Sequence, residues 1–545
     1  MNKNQHEFTL SPTKPPFFSA AVYLFVSKII DIRSEWIVFL AAFLWFGATT
    51  GLYPLLLPDE GRYVGVAWNM VGTDNFLVPV IDGMPFFHKP PLFYWLTALS
   101  LHVFGVNEWA GRLVSVLAAS GTVGMAFWFL KTYADRRMAA VATLILLSQP
   151  FLFGASHYAN LDMTVAALIA ATVLAAAAAV FRIERGQAYF GTLLLAYGLA
   201  ALGFLAKGLI GVVLPAGVIV CWLLASRRFS TLGRMVSVSG IILFLAVSLP
   251  WMIAMQQRYP DFFDYYIIHQ HVERFLEKGF NNARPFWFYA PVLFGLLLPW
   301  SLHAWRLCKR TVRARPAYPA LNGLMASWFL VIFVFFSIPN SKLIGYVLPL
   351  AIPAAYFLAL PFVDRLAGPH RAAAIKSLLL SFSISLCICV AAVLAMVFYP
   401  QPSSKGLAQQ LKSLRGPADQ VVMLDRYRYD LNFYLRAAEN AMVVADWHDP
   451  DLQKTDNWRR ELFEAGRFVP DTALRLLITE PQLRNKLCAY RAAPLWLIGE
   501  DGSVERYEFL SGLTPRAQDG RLRAWFIPAE ERLGFCGERP RSFQE

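Results

Sequence analysis

An acidic pair, Asp59-Glu60, follows directly on an apolar stretch and is itself followed by Gly61-Arg62-Tyr63. On a helix, Asp59, Arg62 and Tyr63 lie at i, i+3 and i+4 and share one face, so that a carboxylate, a guanidinium and a phenol can act together. A helix cap with a local ion pair would explain the same residues. A carboxylate at the end of a membrane span, however, is costly unless it is paired or used. Further along stands Phe86-Phe87-His88-Lys89-Pro90-Pro91, where two prolines hold the lysine in a stiff, extended backbone. Taken alone, Lys89 reads as a side chain snorkelling to lipid phosphate. Asp162 opens a later apolar stretch and fits either a helix N-cap or a second acid. His269, His271 and Glu273 have the residue types of a metal cluster, without a third spacing to support one, and Arg274 adds a cation beside them. Asn340-Ser341-Lys342-Leu343-Ile344-Gly345-Tyr346 forms one more such turn. Together these segments offer Arg62, Lys89, Arg274 and Lys342 to anions, Asp59 and Asp162 as carboxylates, and Tyr63 and Tyr346 as hydroxyl donors. Cations of this kind beside a bilayer recognise phosphate. The substrate implied is a lipid with a phosphate head.

The elements that must position these residues are membrane helices. The chain has 545 residues, 57% hydrophobic and 16% charged, with a mean hydropathy of +0.44. A soluble domain carries about 25% charged residues, so a soluble enzyme, a disordered chain and a nucleic-acid binder are excluded as the main reading. Apolar stretches long enough to span a bilayer fall at 36–57, 110–130, 138–155, 163–181, 189–206, 208–225, 235–256, 286–305, 321–338, 343–363 and 374–399. The stretch 90–104 is shorter and reads as a twelfth span or an interfacial helix. Residues 17–30, broken by Lys28, read as a surface-lying approach rather than a cleaved signal.

The net charge of +13 is mostly topology. Alternate loops hold twenty and eight Lys/Arg, and the richer set belongs in the cytoplasm. This places the N-terminus inside. The long first loop 58–109, the loop 257–285 and everything after 400 then lie outside. Every candidate site residue falls on that outer side. The expected division is an N-terminal segment 1–35, a membrane domain 36–399 and a soluble α/β domain 400–545. In the last, short β-like runs at 420–425, 441–446, 474–479, 494–498 and 521–527 alternate with amphipathic stretches. Cys488 and Cys536 lie in it and fit either a disulfide or two free thiols. Cys387 and Cys389, two apart in a span, point to different faces and read as packing. No nucleotide-binding glycine loop is present, so no nucleotide cofactor is expected and an activated sugar would arrive already attached to lipid.

Three blocks carry a resemblance: Pro58-Asp59-Glu60-Gly61-Arg62-Tyr63, then Phe87-His88-Lys89-Pro90-Pro91-Leu92-x-Tyr94-Trp95, then Asn340-Ser341-Lys342-Leu343-x-x-Tyr346-x-Leu348-Pro349. In this order and topology the chain resembles the bacterial lipid A aminoarabinose transferases. These are glycosyltransferases of the GT-C fold, within the dolichyl-phosphate-mannose protein mannosyltransferase-like superfamily. The resemblance implies a mainly α, polytopic helix bundle of about thirteen spans with a C-terminal periplasmic α/β domain. It implies transfer of 4-amino-4-deoxy-L-arabinose from undecaprenyl phosphate to a phosphate of lipid A, at the outer face of the bacterial inner membrane, with resistance to polymyxin as the result. The partners implied are the lipid-linked donor, the lipid A acceptor and membrane lipids, with neither nucleic acid nor an obligate protein partner.

On the matching positions Asp59 is the first-loop acid and Asp162 the second. Lys89 and Arg274 match carrier-phosphate contacts, and Tyr346 lies in the matching outer turn. Family members can have Glu where this chain has His88. A divalent metal, where the family holds one, directs attention to His88 and His269.

A phosphate acceptor is already ionised at neutral pH, so Asp59 need not act as a base. It would instead orient Arg62 or Lys89, hold a metal, or pair with the sugar's ammonium. The leaving phosphate needs cationic stabilisation, for which Lys89, Arg274 and Lys342 are the candidates. Two other classes stay open on sequence: a GT-C enzyme moving another sugar to protein or glycan, and a lipid-phosphate transporter. The transporter predicts charges within spans, and few are found there.

Overall fold

The computed structural model describes residues 34–273, 282–308, 318–437, 439–452, 454, 457–529 and 533–536, with the side chains of 269–273 and 308 left aside. The segment 17–30, Arg274 and the side chain of His269 therefore lie outside the described residues.

The first half of the chain alternates membrane helices with one elaborated loop. Helix α1 (Glu35–Gly47) leads to α2 (Asp59–Thr73), the two-stranded hairpin β1 (Val80–Ile81) and β2 (Met84–Pro85), and α3 (Leu92–Phe104). Next come α4 (Glu108–Tyr133), α5 (Arg136–Ser148), α6 (Pro150–Ser156), α7 (Leu161–Glu184), α8 (Phe190–Lys207), α9 (Ile210–Ala225), α10 (Phe229–Met235) and α11 (Val238–Arg258). A π-helix covers Asp264–Glu273. Beyond it lie α12 (Tyr289–Leu296), a 3-10 helix (Trp300–Cys308), α13 (Pro319–Ser337), a 3-10 turn (Ile344–Leu350) running into α14 (Ala351–Leu366), and α15 (Arg371–Phe398).

Among the described residues seven helices are long and apolar enough to cross a membrane, or eight with the pair α5 and α6. Each of the eleven expected spans falls on helix, but four are shorter or broken. The first stops at Gly47 rather than at 57. The stretch 138–155 bends by 59° between α5 and α6, where Pro150 lacks the N–H that would continue the ladder. The stretch 208–225 is a 16-residue helix, and 286–305 divides at Pro299 into α12 and the 3-10 helix. The stretch 90–104 forms the 13-residue α3, about 20 Å long and too short to span. At the centre of the bundle stands α7, whose Ala175–Ala179 run is buried throughout and lets its neighbours approach closely.

After α15 the chain builds a separate α/β layer. Its elements are α16 (Lys405–Leu414), β3 (Gln420–Leu424), α17 (Leu431–Leu435), β4 (Met442–Val444), α18 (Trp458–Gly466), α19 (Pro470–Leu476), β5 (Leu477–Ile478), α20 (Glu480–Cys488), β6 (Leu495–Glu500), α21 (Ser503–Arg506), β7 (Ala517–Asp519) and β8 (Leu522–Ile527). The strands form one sheet in the order β5-β4-β3-β6-β8-β7. The first four are parallel, with Val422 opposite Met442 and Gln420 opposite Leu495, and β8 and β7 are antiparallel. Continuous apolar runs such as Val421–Leu424 and Leu495–Ile498 suit parallel strands covered on both faces. Cys488 and Cys536 form a disulfide, which resolves the choice left open by the sequence.

This domain is not hung on a linker. Tyr63 of α2, Met84 of β2 and Phe93 and Tyr94 of α3 share one buried cluster with Leu407, Tyr429, Phe433, Leu462 and Trp496 of the C-terminal layer. Gly61 and Gly65 make the close approach possible. A Cβ on Gly61 would lie 3.1 Å from the Asp430 nitrogen, and one on Gly65 would lie 2.9 Å from the Tyr429 carbonyl.

Candidate active site

Helix α2 delivers the acidic pair in two opposite directions. The Glu60 side chain turns inward and is fully buried. It accepts from the Leu56 nitrogen at 2.6 Å and the Ala159 nitrogen at 2.7 Å, and it pairs with Arg112. Arg112 in turn donates to the carbonyls of Thr50, Tyr53 and Pro54. Glu60 therefore ties the end of the first apolar stretch to the segment before α7.

Asp59 faces the other way, with a third of its side chain exposed. One oxygen pairs with Arg62, and the other accepts from the Tyr158 hydroxyl at 3.2 Å. The face that the sequence predicts for Asp59, Arg62 and Tyr63 is present. The Arg62 guanidinium sits 4.9 Å from the centre of the Tyr63 ring. The second terminal nitrogen of Arg62 reaches Glu461 on α18, and Glu461 also accepts from the Tyr429 hydroxyl. Burial opposes the charge on Arg62, but Glu461, Tyr63 and Asp59 outweigh it and hold the guanidinium protonated.

The second acid forms a neighbouring cluster. Asn160 caps α7, its side chain accepting from the Asp162 nitrogen at 2.9 Å. The N-cap alternative for Asp162 is thereby set aside, because Asn160 takes that place. The Asp162 carboxylate is left to pair with Lys207, the last residue of α8. The Lys207 ammonium also lies 4.8 Å from the centre of the Tyr346 ring. Gly345 is pressed against the same carboxylate, since a Cβ there would stand 2.1 Å from Asp162 Oδ2. Tyr63 feels the charge of Asp59 and, more weakly, that of Asp162, so both acids act on one phenol.

The Lys-Pro-Pro block is held by α18 as well. His88 Nε2 stands 3.3 Å from Glu464 Oε2, and its ring stacks on Phe86 at 4.5 Å. The Tyr265 hydroxyl donates to Glu464 at 2.7 Å and Arg460 donates at 2.6 Å. Burial alone would raise the Glu464 pKa, but His88, Arg460 and Tyr265 hold it well below the usual carboxylate range. Lys89 follows half-buried, just before the prolines that start α3.

Lys342 departs from the expectation of a phosphate contact. It is buried, and its ammonium donates to the carbonyls of Arg284 at 3.1 Å and of Pro339. Burial also lowers its pKa, so its geometry fastens two segments rather than presenting a cation. Of the histidines read as metal ligands, His88 faces Glu464, and the side chain of His269 lies outside the described residues. Among the described residues no three His, Cys, Asp or Glu side chains cluster as a metal site. Asp59 and Asp162 face protein cations.

Several site residues escaped sequence reasoning. Lys207 stands out only as a cation closing an apolar run before Gly208, a signal that could have paired it with Asp162. Glu461, Glu464, Arg460 and Tyr429 come from the C-terminal layer, where nothing in the spacing Arg460-Glu461-x-x-Glu464 marks them off from a solvated helix face.

The profile of the dolichyl-phosphate-mannose-protein mannosyltransferase family matches residues 88–253. Proteins named undecaprenyl phosphate-alpha-4-amino-4-deoxy-L-arabinose arabinosyl transferase are similar in sequence. The one from Aeromonas hydrophila is 34% identical over 350 residues, covering 63% of this chain and 62% of its own. One from Pseudomonas savastanoi is 32% identical, covering 60% and 61%. The match thus spans about three fifths of these relatives' length. In structure the chain resembles ArnT from Cupriavidus metallidurans bound to undecaprenyl phosphate, with TM-score 0.74, 22% identity, and coverage of 92% of this chain and 99% of that one. It resembles more distantly the archaeal oligosaccharyltransferase AglB from Archaeoglobus fulgidus, with TM-score 0.52, 11% identity, and coverage of 86% and 70%. The fold is the GT-C membrane bundle with a C-terminal sheet-containing domain, as the three sequence blocks imply.

Proposed function

We propose that this chain is a membrane glycosyltransferase that moves 4-amino-4-deoxy-L-arabinose from undecaprenyl phosphate to a phosphate of lipid A. One observation carries the reading. Two carboxylates, each held by a protein cation, both act on the Tyr63 phenol: Asp59 with Arg62 and Asp162 with Lys207. Asp59 stands in the first motif block and Asp162 at the second acid position that the resemblance implies, in a fold shared with a protein solved with undecaprenyl phosphate.

The chemistry follows from the charges. The acceptor phosphate is an anion at neutral pH, so no base is required to make it a nucleophile. Asp59 and Asp162 are instead suited to hold the sugar, whose ammonium a carboxylate recognises. As the bond to the carrier breaks, charge develops on the leaving phosphate and needs fixed cations. Lys89 and Arg274 occupy the matching positions. Loss of one such well-placed donor costs about 10²–10³ in rate. Direct displacement by the acceptor, without a sugar bound covalently to the enzyme, inverts the anomeric centre.

The loops that bear these residues are the cation-poor set, so the site and the C-terminal domain face the periplasm and the N-terminus the cytoplasm of a bacterial inner membrane. The consequence for the cell is a less anionic lipid A and resistance to polymyxin. The test is expression in a polymyxin-sensitive strain lacking the transferase, with mass spectrometry of its lipid A. The pentosamine is expected with the wild type and absent with Asp59→Ala. Unmodified lipid A beside a well-expressed wild-type protein would reject the reading.

A further inference from the structure

Helix α18 of the C-terminal domain presents two carboxylates one turn apart, and each grips a different block of the membrane domain. Glu464 takes His88, next to Lys89, while Glu461 takes Arg62. Glu461 is 4% exposed, and both of its oxygens are used, one by Arg62 and one by the Tyr429 hydroxyl. Arg62 divides its two terminal nitrogens between Glu461 and Asp59.

The guanidinium is planar and its fork is rigid, so fixing one nitrogen fixes the direction of the other. Of the three side chains only Asp59 has a third of its surface open, against 14% for Arg62 and 6% for Glu461. The buried end of the chain of contacts is therefore the anchor, and the exposed end is the group it aims. The backbone supports this: Gly61 and Gly65 let Tyr429 and Asp430 lie directly on α2, and the Tyr429 hydroxyl donates to Glu461.

We propose that Glu461 is a positioning residue for sugar transfer, acting through Arg62 on Asp59 and making the C-terminal domain a component of the active site. This rests on the transferase reading above. An active-site carboxylate free to swing by about 1 Å loses on the order of 10²-fold in rate. Without Glu461, Arg62 follows Asp59 instead of holding it.

The test uses the full-length purified protein and compares Glu461→Gln, Glu461→Asp and Asp59→Asn with wild type. Undecaprenyl phosphate binding, measured on each preparation, counts the folded sites. For Glu461→Gln we expect kcat per binding site to fall tenfold or more, with donor KM and undecaprenyl phosphate affinity within twofold of wild type. Glu461→Asp, which keeps the charge, should recover most of that loss. The double variant Asp59→Asn/Glu461→Gln should be no slower than Asp59→Asn alone. A Glu461→Gln rate per site within twofold of wild type, or losses that multiply in the double variant, would overturn the proposal. The wild-type control reports on the transferase reading by itself. The ratio of variant to wild type reports on Glu461 with whichever sugar is transferred.

Discussion

Glu60 and Arg112 form a pair sealed from solvent: both side chains are 0% exposed, and Arg112 Nη2 lies 2.7 Å from Glu60 Oε2. Asp59, one residue earlier, is open and paired with Arg62. The acidic doublet therefore splits into a structural half and a chemical half. Breaking a buried pair by removing one partner costs about 3–5 kcal/mol, because the other charge stays buried and uncompensated. Arg112→Met should lower the thermal midpoint of the detergent-solubilised protein by an amount of that order. Asp59→Asn should leave the midpoint unchanged while sugar transfer slows sharply. A destabilised Asp59→Asn or a fully stable Arg112→Met would refute the division.

Gly345 gives a sharper probe of the second acid. A methyl group there would meet Asp162 Oδ2 at 2.1 Å and drive the carboxylate away from Lys207. Displacement of about 1 Å at a reacting centre costs on the order of 10²-fold in rate. Gly345→Ala should therefore slow transfer by about that factor in a folded protein, and adding Asp162→Asn should change little further. Wild-type turnover in Gly345→Ala would show that the position of Asp162 does not matter.

The helices were legible because they follow from local pattern. Apolar runs of span length and a carboxylate just behind one need no partner to be recognised. The face shared by Asp59, Arg62 and Tyr63 was legible for the same reason, since helical spacing alone produces it. What could not be read were contacts between distant segments. Nothing near Glu461 announces that it meets Arg62, almost 400 residues away, or near Lys207 that it meets Asp162. The surroundings of Lys342 were hidden for the same reason: a cation in a turn gives no sign that the Arg284 and Pro339 carbonyls accept from it. The broken spans at Pro150 and Pro299 were hidden because hydropathy ignores a missing N–H.

The Cys488–Cys536 bridge closes a loop of 48 residues in sequence that contains β6, β7 and β8. A cross-link of that span is worth about 4 kcal/mol on the chain-entropy account. Cys488→Ser should lower the unfolding temperature of the C-terminal domain, and reductant should do the same to the wild type but not to the variant. Because Glu461 and Glu464 lie on α18, before the bridged segment, the variant should keep its transfer rate below that temperature. Equal melting of wild type with and without reductant would show that the bridge contributes no stability.

Asp82 supplies a pH dependence at the junction of the two layers. It stands with Gly83 in the turn between β1 and β2, both residues at positive φ, and it accepts from the Ala441 nitrogen at 2.8 Å. Burial, opposed only by that hydrogen bond, pushes its pKa up to about 7. In the unfolded chain an aspartate titrates near ~3.9. Between roughly pH 4 and 7 the unfolded state therefore binds fewer protons than the folded one, and stability falls as pH rises, by up to about 1.4 kcal/mol per pH unit. Above that window both states are ionised and the contribution is flat. The junction should thus be firmer at pH 5 than at pH 8. Asp82→Asn, which stays neutral and can still accept from Ala441, should remove most of this difference and raise the melting temperature at pH 8. Melting curves of the two proteins at both values decide it, and an unchanged pH dependence in Asp82→Asn would assign the effect to another group.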